Sequence, residues 1–253
     1  MALAGVRIDQ VRAAPIYRKL AERNRLPGFN AFRAQSGFDP NQDIRELLLS
    51  SDGMSVLALA RGTFREKPSG NLNTSEYRGY SLYTNDGRDA MAFLTTSLVV
   101  GGPSAAVRAA IDQYKRGQAG APRDLMARAD ALPGDAQIWA VIAGWPGATP
   151  EQLREMGNWG NLDRVLRLVA GASLTVDLRT GVRVAFTGDC RSDADARNLA
   201  DSFRGLAAMA KMGVQRGHPD LLLAFDGIQI KQDGRMVQVK IDTPEDLAEK
   251  LVR

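Results

Sequence analysis

The chain of 253 residues is 44% apolar and 25% charged, proportions typical of a soluble globular protein and unlike those of disordered chains. Its 33 basic and 29 acidic side chains leave a net charge of +4, which is too small an excess to indicate a nucleic-acid-binding stripe. A single cysteine excludes an internal disulfide, and no apolar run reaches the roughly 18 to 20 residues of a bilayer-spanning helix.

Apolar periodicity and turn residues predict the elements of the N-terminal half. A strand over residues 2–9 precedes a helix over 10–25, whose apolar positions recur every three or four residues. Turn residues then separate a hairpin, a polar loop, a second hairpin around Asn85-Asp86-Gly87 and a helix. Their ranges are 43–51 and 55–64 for the first hairpin, 65–75 for the loop, 77–84 and 89–100 for the second hairpin, and 103–116 for the helix.

The C-terminal half follows a stretch rich in Gly, Ala and Pro over 117–122. Ser192 is expected to cap the longest helix, 193–212, because a serine hydroxyl accepts a hydrogen bond from a free amide of the first helical turn. The other predicted elements are a helix over 123–131, a strand over 136–143, helices over 149–156 and 162–170, hairpins over 173–178 and 182–187 and over 221–230 and 236–241, and a closing helix over 244–252.

Two stretches of the chain share one pattern of turn residues. Residues 77–88 parallel residues 225–235 with one residue dropped, and in both places a strand and then a proline at the start of a helix follow. We interpret this as a tandem duplication of a β-α-β-β-(α)-β-β-α unit, with repeats over residues 1–120 and 133–253. The 65–75 loop replaces the bracketed helix in the first copy. The predicted fold class is α+β, with mainly antiparallel sheets and helices packed on one face.

Six short segments together carry a resemblance to known proteins: Val6-Arg7-Ile8-Asp9, Arg12–Tyr17, Gly37-Phe38-Asp39-Pro40, Ala60–Phe64, Tyr77-Arg78-Gly79 and Leu98–Gly101. They resemble a family of uncharacterised exported proteins of soil acidobacteria, a domain of unknown function. The resemblance implies a protein of the periplasm or cell envelope and brings no activity with it. Such proteins usually carry a signal peptide, but the start of this chain, Met1–Arg7, is too short and too soon charged for one, so a cytoplasmic location is the alternative.

Few residues form a catalytic or cofactor-binding pattern. His218 is the only histidine and Cys190 the only cysteine, so one thiol–imidazole pair is the sole dyad of that kind. A loop histidine before proline is usually a polar surface residue. The Gly-rich turn Gly101–Ser104 stands before a helix, but it lacks the lysine of a phosphate-binding P-loop. We assign no catalytic residue and no cofactor to these positions.

Acidic residues leave two kinds of site to consider. Asp189, Asp193 and Asp195 could offer oxygens to a cation, but their spacing matches no EF-hand loop, and two of them fit the first turn of a helix. No metal is therefore assigned. A hydrolase using two converging carboxylates is an alternative function, and it requires such a pair in one cleft.

Two loop tryptophans provide the best candidate for a binding surface. Trp145 and Trp159 lie beside Pro-Gly and Gly residues, where a large aromatic side chain is unusual, and exposed tryptophans mark contact surfaces. The leading hypothesis is a non-catalytic envelope or periplasmic protein that binds a protein or another macromolecule there. A weak binder of nucleic acid or another anionic surface through the basic helix over 10–25 is a further alternative.

Overall fold

Two compact units make up the described part of the chain. The computed structural model describes residues 1–22, 39, 42–64, 72–117, 120–144, 167–213 and 219–251. Ala2–Met126 form the N-terminal unit, and Ala127–Arg253 together with Met1 form the C-terminal unit. Each consists of antiparallel strands and helices, so the α+β class is confirmed. Within the described ranges, no helix is long and apolar enough to cross a membrane.

Seven strands form the sheet of the N-terminal unit among the residues described. They are β1 (Ala2–Arg7), β2 (Ile44–Ser51), β3 (Val56–Gly62), β4 (Asn73–Tyr77), β5 (Tyr80–Thr84), β6 (Asp89–Thr95) and β7 (Leu98–Pro103). Their order is β1-β2-β3-β7-β6-β5-β4, and neighbours are antiparallel. The first predicted hairpin is confirmed as β2 and β3, because polar turn residues separate two strongly apolar runs.

Helices contribute to both faces of this N-terminal sheet. They are α1 (Ile8–Ala13), α2 (Pro15–Glu22) and α3 (Ser104–Arg116). Val107 and Ile111 of α3 are fully buried in a cluster with Val100 of β7. Val99 points to the opposite face, since strand side chains alternate, and it packs in a second cluster with Ile8 of α1. The prediction of helices on one face is therefore wrong for this unit, because β7 is apolar at consecutive positions and needs cover on both sides.

A tight turn interrupts the strand predicted over 77–84. Arg78 has a φ of 52° and Gly79 a φ of 85°, and the chain reverses there so that Tyr77 pairs with Tyr80. Two successive residues with positive φ form the turn that matches the twist of a hairpin. The segment is thus a hairpin of β4 and β5, with the reversal at a residue pair that the apolar pattern passed over.

Two further boundaries in this unit differ from prediction. The strand predicted over 89–100 reverses between Thr95 and Leu98, which pair with each other, and so becomes β6 and β7. The loop predicted over 65–75 ends earlier, since β4 begins at Asn73. Both errors arise because strand–strand pairing, which decides where a strand begins, involves residues distant from the turn.

Five strands and four helices are described in or next to the C-terminal unit. The strands are β8 (Ile138–Ala143), β9 (Val169–Asp177), β10 (Gly181–Cys190), β11 (Gln229–Asp233) and β12 (Met236–Pro244), in the antiparallel order β8-β9-β10-β12-β11. The helices are α4 (Arg123–Asp130), which contains the division between the units, α5 (Asp193–Gly213), α6 (Pro219–Asp226) and α7 (Glu245–Leu251). The predicted hairpin of β9 and β10 and the long helix α5 are confirmed.

The core of the C-terminal unit lies under the first half of α5. Ala196, Leu199 and Ala200 are fully buried and pack with Val169 of β9 and Val237 of β12. Ser192 caps this helix as predicted. Its Oγ accepts a hydrogen bond from the Asp195 amide at 3.1 Å and donates one to Asp195 Oδ2 at 2.8 Å.

Three predicted elements change type or continuity. The helix predicted over 10–25 starts earlier and is broken at Ala14, whose extended backbone precedes Pro15. The strand predicted over 221–230 is mostly helix α6, because its run of leucines satisfies helical and strand patterns alike. The end of the helix predicted over 162–170 belongs to β9.

Candidate interaction surface

The two ends of α5 differ in what they expose. In the first half the exposed positions are largely polar, so the helix is amphipathic in the ordinary way. From Phe203 to Met212 none of the described side chains is buried, and the charged residues of this stretch are Arg204 and Lys211. A helix that is apolar on nearly every side is normally covered by another apolar surface. The exposed residues of the first half are Asp193, Ala194, Arg197, Asn198 and Asp201, and those of the second half include Gly205, Ala208, Met209 and Met212.

Helix α6 extends this exposed apolar area. It packs against α5 and exposes Leu222 and Leu223. Met212 is 79% exposed and Leu223 is 59% exposed, which is high for side chains of this size. We call Met209, Met212, Leu222 and Leu223 together the α5–α6 surface. Grouped exposed apolar side chains of this kind mark contact sites, whereas single ones are common on any protein.

An open groove lies between α5, α6 and β11. Its volume is about 350 Å³, and its apolar lining comes from Ala207, Ala208, Phe225, Ile228 and Ile230. This size is in the range of pockets that take a small ligand or a few partner side chains. The groove therefore offers a concave apolar surface between the two helices that carry the exposed residues.

Two ion pairs stand at the edge of the groove. Arg204 Nη1 lies 2.7 Å from Asp201 Oδ1, and Lys211 Nζ lies 2.6 Å from Asp226 Oδ1. All four side chains are substantially exposed, so these pairs add little to folding stability. An apolar centre with a charged rim is the usual composition of a protein interface.

Several residues that the sequence analysis singled out lie outside the described part of the chain. Trp145 and Trp159 lie outside the described residues, as do His218 and the helix predicted over 149–156. Cys190 is described and buried, and burial raises the pKa of its thiol. A raised pKa leaves less of the nucleophilic thiolate, which is the opposite of what a catalytic cysteine requires.

The three aspartates considered as cation ligands have other partners or positions. Asp189 forms an ion pair with Arg128, and Asp195 belongs to the cap of α5. Asp193 lies in the first turn of α5, where the helix dipole favours a negative charge. Within the described ranges, no group of three His, Cys, Asp or Glu side chains is arranged to hold a metal ion.

The Gly-rich turn before α3 is occupied by the chain itself. The Ser104 amide donates to the Arg88 carbonyl oxygen at 2.8 Å, and Ser104 Oγ donates to the Gly87 carbonyl oxygen at 2.9 Å. These carbonyls use the donors that an anion would need at a helix N-terminus. The turn thus fastens α3 to the β5–β6 hairpin.

A second groove of about 340 Å³ is lined in part by carboxylates of the C-terminal unit, among them Asp135 and Asp177. Arg179 bridges the two: its Nη1 lies 2.6 Å from Asp135 Oδ2 and its Nη2 lies 2.7 Å from Asp177 Oδ2. Hydrogen bonds from the Arg179 side chain lower the pKa of Asp135 and lower that of Asp177 to about 2. A general acid needs a raised pKa, so this groove does not favour the carboxylate-hydrolase alternative.

The lowered pKa of Asp177 predicts how the stability of the protein changes at acid pH. Because the pKa of Asp177 falls from 3.8 to about 2 on folding, its contribution is complete above pH ~4 and is lost as the pH falls through 2. We expect Asp177→Asn to flatten the decline of the thermal unfolding midpoint between pH 4 and pH 2. Asp233→Asn, at an exposed position of β11, should leave that decline unchanged. Equal declines in the wild type and Asp177→Asn would contradict the expectation.

Comparison with known proteins identifies a shared fold. No family model matches the chain, and no curated protein sequence matches it. Among solved structures, crystal form I of TP0453 matches this chain with a TM-score of 0.51 at 8% identity, and the match covers 99% of this chain and 92% of that one. Crystal form III of TP0453 gives a TM-score of 0.54 at 8% identity, with 99% and 93% covered. At this identity the similarity concerns the fold alone.

Sequence analysis did not find the α5–α6 surface, although its signal is visible in the printed sequence. The run Ala207-Ala208-Met209-Ala210 is apolar at four successive positions, which an amphipathic helix does not need. Apolar positions three and four residues apart, from Ala196 to Ala207, predict the buried face of α5. The apolar residues on the other face of α5 are the ones that the structure leaves exposed.

Proposed function

We propose that this protein is a non-catalytic binding protein of the cell envelope or periplasm, and that it contacts a protein partner through the α5–α6 surface. The observation that supports this most is the apolar, exposed second half of α5. The envelope location is supported by the resemblance to exported acidobacterial proteins. The site differs from the tryptophan loops favoured by the sequence, which remain a separate candidate.

Energetics favour a covered state for this surface. Leaving four large apolar side chains in water forgoes about 1.5 to 3 kcal/mol of transfer free energy for each one that a partner could bury completely. Folding does not require methionines at Met209 and Met212, since the inner face of α5 already provides its packing. Methionine side chains adapt well to irregular partner surfaces. Exposed apolar area, methionines that folding does not require and adaptable side chains are all properties of protein interfaces.

Site-specific photocrosslinking in the native host tests the proposal. A photoreactive amino acid at Met209 or at Leu223 is expected to give the same discrete crosslinked product. Met54 is the matched control, because it is 91% exposed but stands apart in the turn between β2 and β3. The product should be absent there. No product at Met209 and Leu223, or an identical set of products at all three positions, would overturn the proposal.

A second variant connects that product to the surface chemistry. Met212→Glu introduces a charge that would be buried on binding, so we expect it to lower the crosslinking yield at Leu223 by about fivefold or more. Met54→Glu should leave the yield unchanged. Circular dichroism of both variants establishes that the fold is retained.

We also propose that the two units arose by duplication, on the basis of their strand order. The shared strand order supports this: β1-β2-β3-β7-β6 in one unit corresponds to β8-β9-β10-β12-β11 in the other. In each unit a helix, α3 or α7, follows the strand at the fourth place of that order. The N-terminal unit has β4 and β5 in addition. The hairpin of these two strands contains most of residues 77–88, so the strand order and the turn pattern of the sequence match different hairpins of the N-terminal unit to β11 and β12.

A further inference from the structure

A cluster of cations lies on the exposed side of α3 in the N-terminal unit. Arg108 and Lys115 are exposed on this helix and are separated by two turns. Arg78, in the turn between β4 and β5, reaches the same place: its Nε lies 2.7 Å from Oδ1 of Asp112, which stands between the two helical cations. Arg78 thus pairs with Asp112, while Arg108 and Lys115 lie about one turn to either side of Asp112 along α3, so these four side chains have a net charge of +2.

Aromatic rings hold these cations in position. The guanidinium carbons of Arg78 and Arg108 lie 5.8 and 5.4 Å from the centroid of the Tyr77 ring. The Tyr77 hydroxyl donates to Asp112 Oδ2 at 3.2 Å. Lys115 Nζ donates to the Arg78 carbonyl oxygen at 3.0 Å and lies 6.0 Å from the centroid of another tyrosine ring, at position 80. The cluster is therefore ordered before any ligand arrives.

Folding alone does not account for this arrangement. Arg78 is the single non-glycine residue with positive φ in the described ranges, a conformation that is strained for an ordinary side chain and that Gly or Asn adopts more easily. Lys115 in the last turn of α3 is explained by the helix dipole. Arg108 is not, and among the described residues no carboxylate lies within ion-pair distance of it. Local strain and unneutralised charge of this kind are typical of ligand sites.

We propose that Arg78, Arg108 and Lys115 bind an oxyanion of the phosphate class. Two guanidinium groups present forked donors that match phosphate oxygens, and an ammonium group adds a third charge. The ligand would reduce the mutual repulsion of the three cations. Its source is either a soluble phosphate compound or the phosphate group of an anionic lipid, since both offer the same oxygens.

Binding of inorganic pyrophosphate, measured by isothermal titration calorimetry at about 50 mM salt, tests the site. We expect Arg108→Gln to raise the Kd at least about tenfold, because a charged hydrogen-bonding group is removed. Arg45→Gln is the matched control, as Arg45 is an exposed arginine on β2 of the same unit. It should leave the Kd unchanged. Thermal unfolding of both variants verifies that they are folded.

A second arm separates the two sources. Cosedimentation with phosphatidylglycerol vesicles, compared with phosphatidylcholine vesicles, measures binding to lipid phosphate. Binding to phosphatidylglycerol without binding to pyrophosphate, again lost in Arg108→Gln, assigns the oxyanion to a lipid. Binding that falls equally in Arg108→Gln and Arg45→Gln reflects net charge and overturns the site. The absence of binding to both probes overturns it as well.

Discussion

Replacing Leu199 by alanine is expected to lower the free energy of unfolding by about 3 kcal/mol. Leu199 is fully buried on the inner face of α5 and packs in one cluster with Val169 and Val237. The substitution removes a buried isopropyl group and leaves a cavity that the close-packed neighbours fill only in part. Urea unfolding followed by circular dichroism measures the effect as a lower midpoint at an unchanged slope.

Met209→Ala is the matched control for that experiment. Met209 belongs to the same helix but is 57% exposed, so its truncation should change the free energy of unfolding by no more than about 0.5 kcal/mol. Equal losses for Leu199→Ala and Met209→Ala would mean that α5 has no free outer face. The α5–α6 surface would then be part of the core.

Gly181→Ala is expected to destabilise the protein by roughly 2 to 4 kcal/mol, since backbone strain and overpacking add at one position. Gly181 has a φ of 116°, which side chains rarely adopt. A Cβ there would lie 2.3 Å from the Thr243 carbonyl oxygen and 2.9 Å from the Glu245 amide nitrogen. Both contacts are to backbone at the junction of β12 and α7, which a rotamer change cannot relieve. Urea unfolding again provides the measurement.

Gly234→Ala separates the two causes. Gly234 also has a positive φ, of 52°, but a Cβ there meets nothing within 4 Å. Its substitution should therefore cost only the conformational penalty, about 1 kcal/mol. If Gly181→Ala lowers the free energy of unfolding no more than Gly234→Ala does, then β10 does not approach the start of α7 as closely as described.

Elements whose boundaries depend on local chemistry could be predicted from the sequence. The hairpin of β9 and β10 turns at Arg179-Thr180-Gly181, and α5 begins at the Ser192 cap. In both places the residues that determine the boundary are neighbours in the chain. Turn and capping preferences act over this short range, so they are visible without a structure.

Elements that depend on distant pairing were predicted less well. The run over 221–230 forms α6 and only then β11, although its leucines suit either structure. The strand over 89–100 divides into β6 and β7 because each half pairs with a different neighbour. A local pattern of apolar residues does not indicate which strand will be the hydrogen-bonded neighbour.

The α+β class and most of the strands and helices could be predicted from the amino-acid sequence alone. The sequence also shows that the chain has only one histidine and one cysteine. Which face of each element is buried depends on the tertiary contacts. Both faces of β7 are covered, but only one face of the second half of α5 is covered. It also brought Arg78 to Arg108 around Tyr77. The physical reason is that burial and charge clustering arise from contacts between residues far apart in the chain, whereas propensity and capping arise from neighbours.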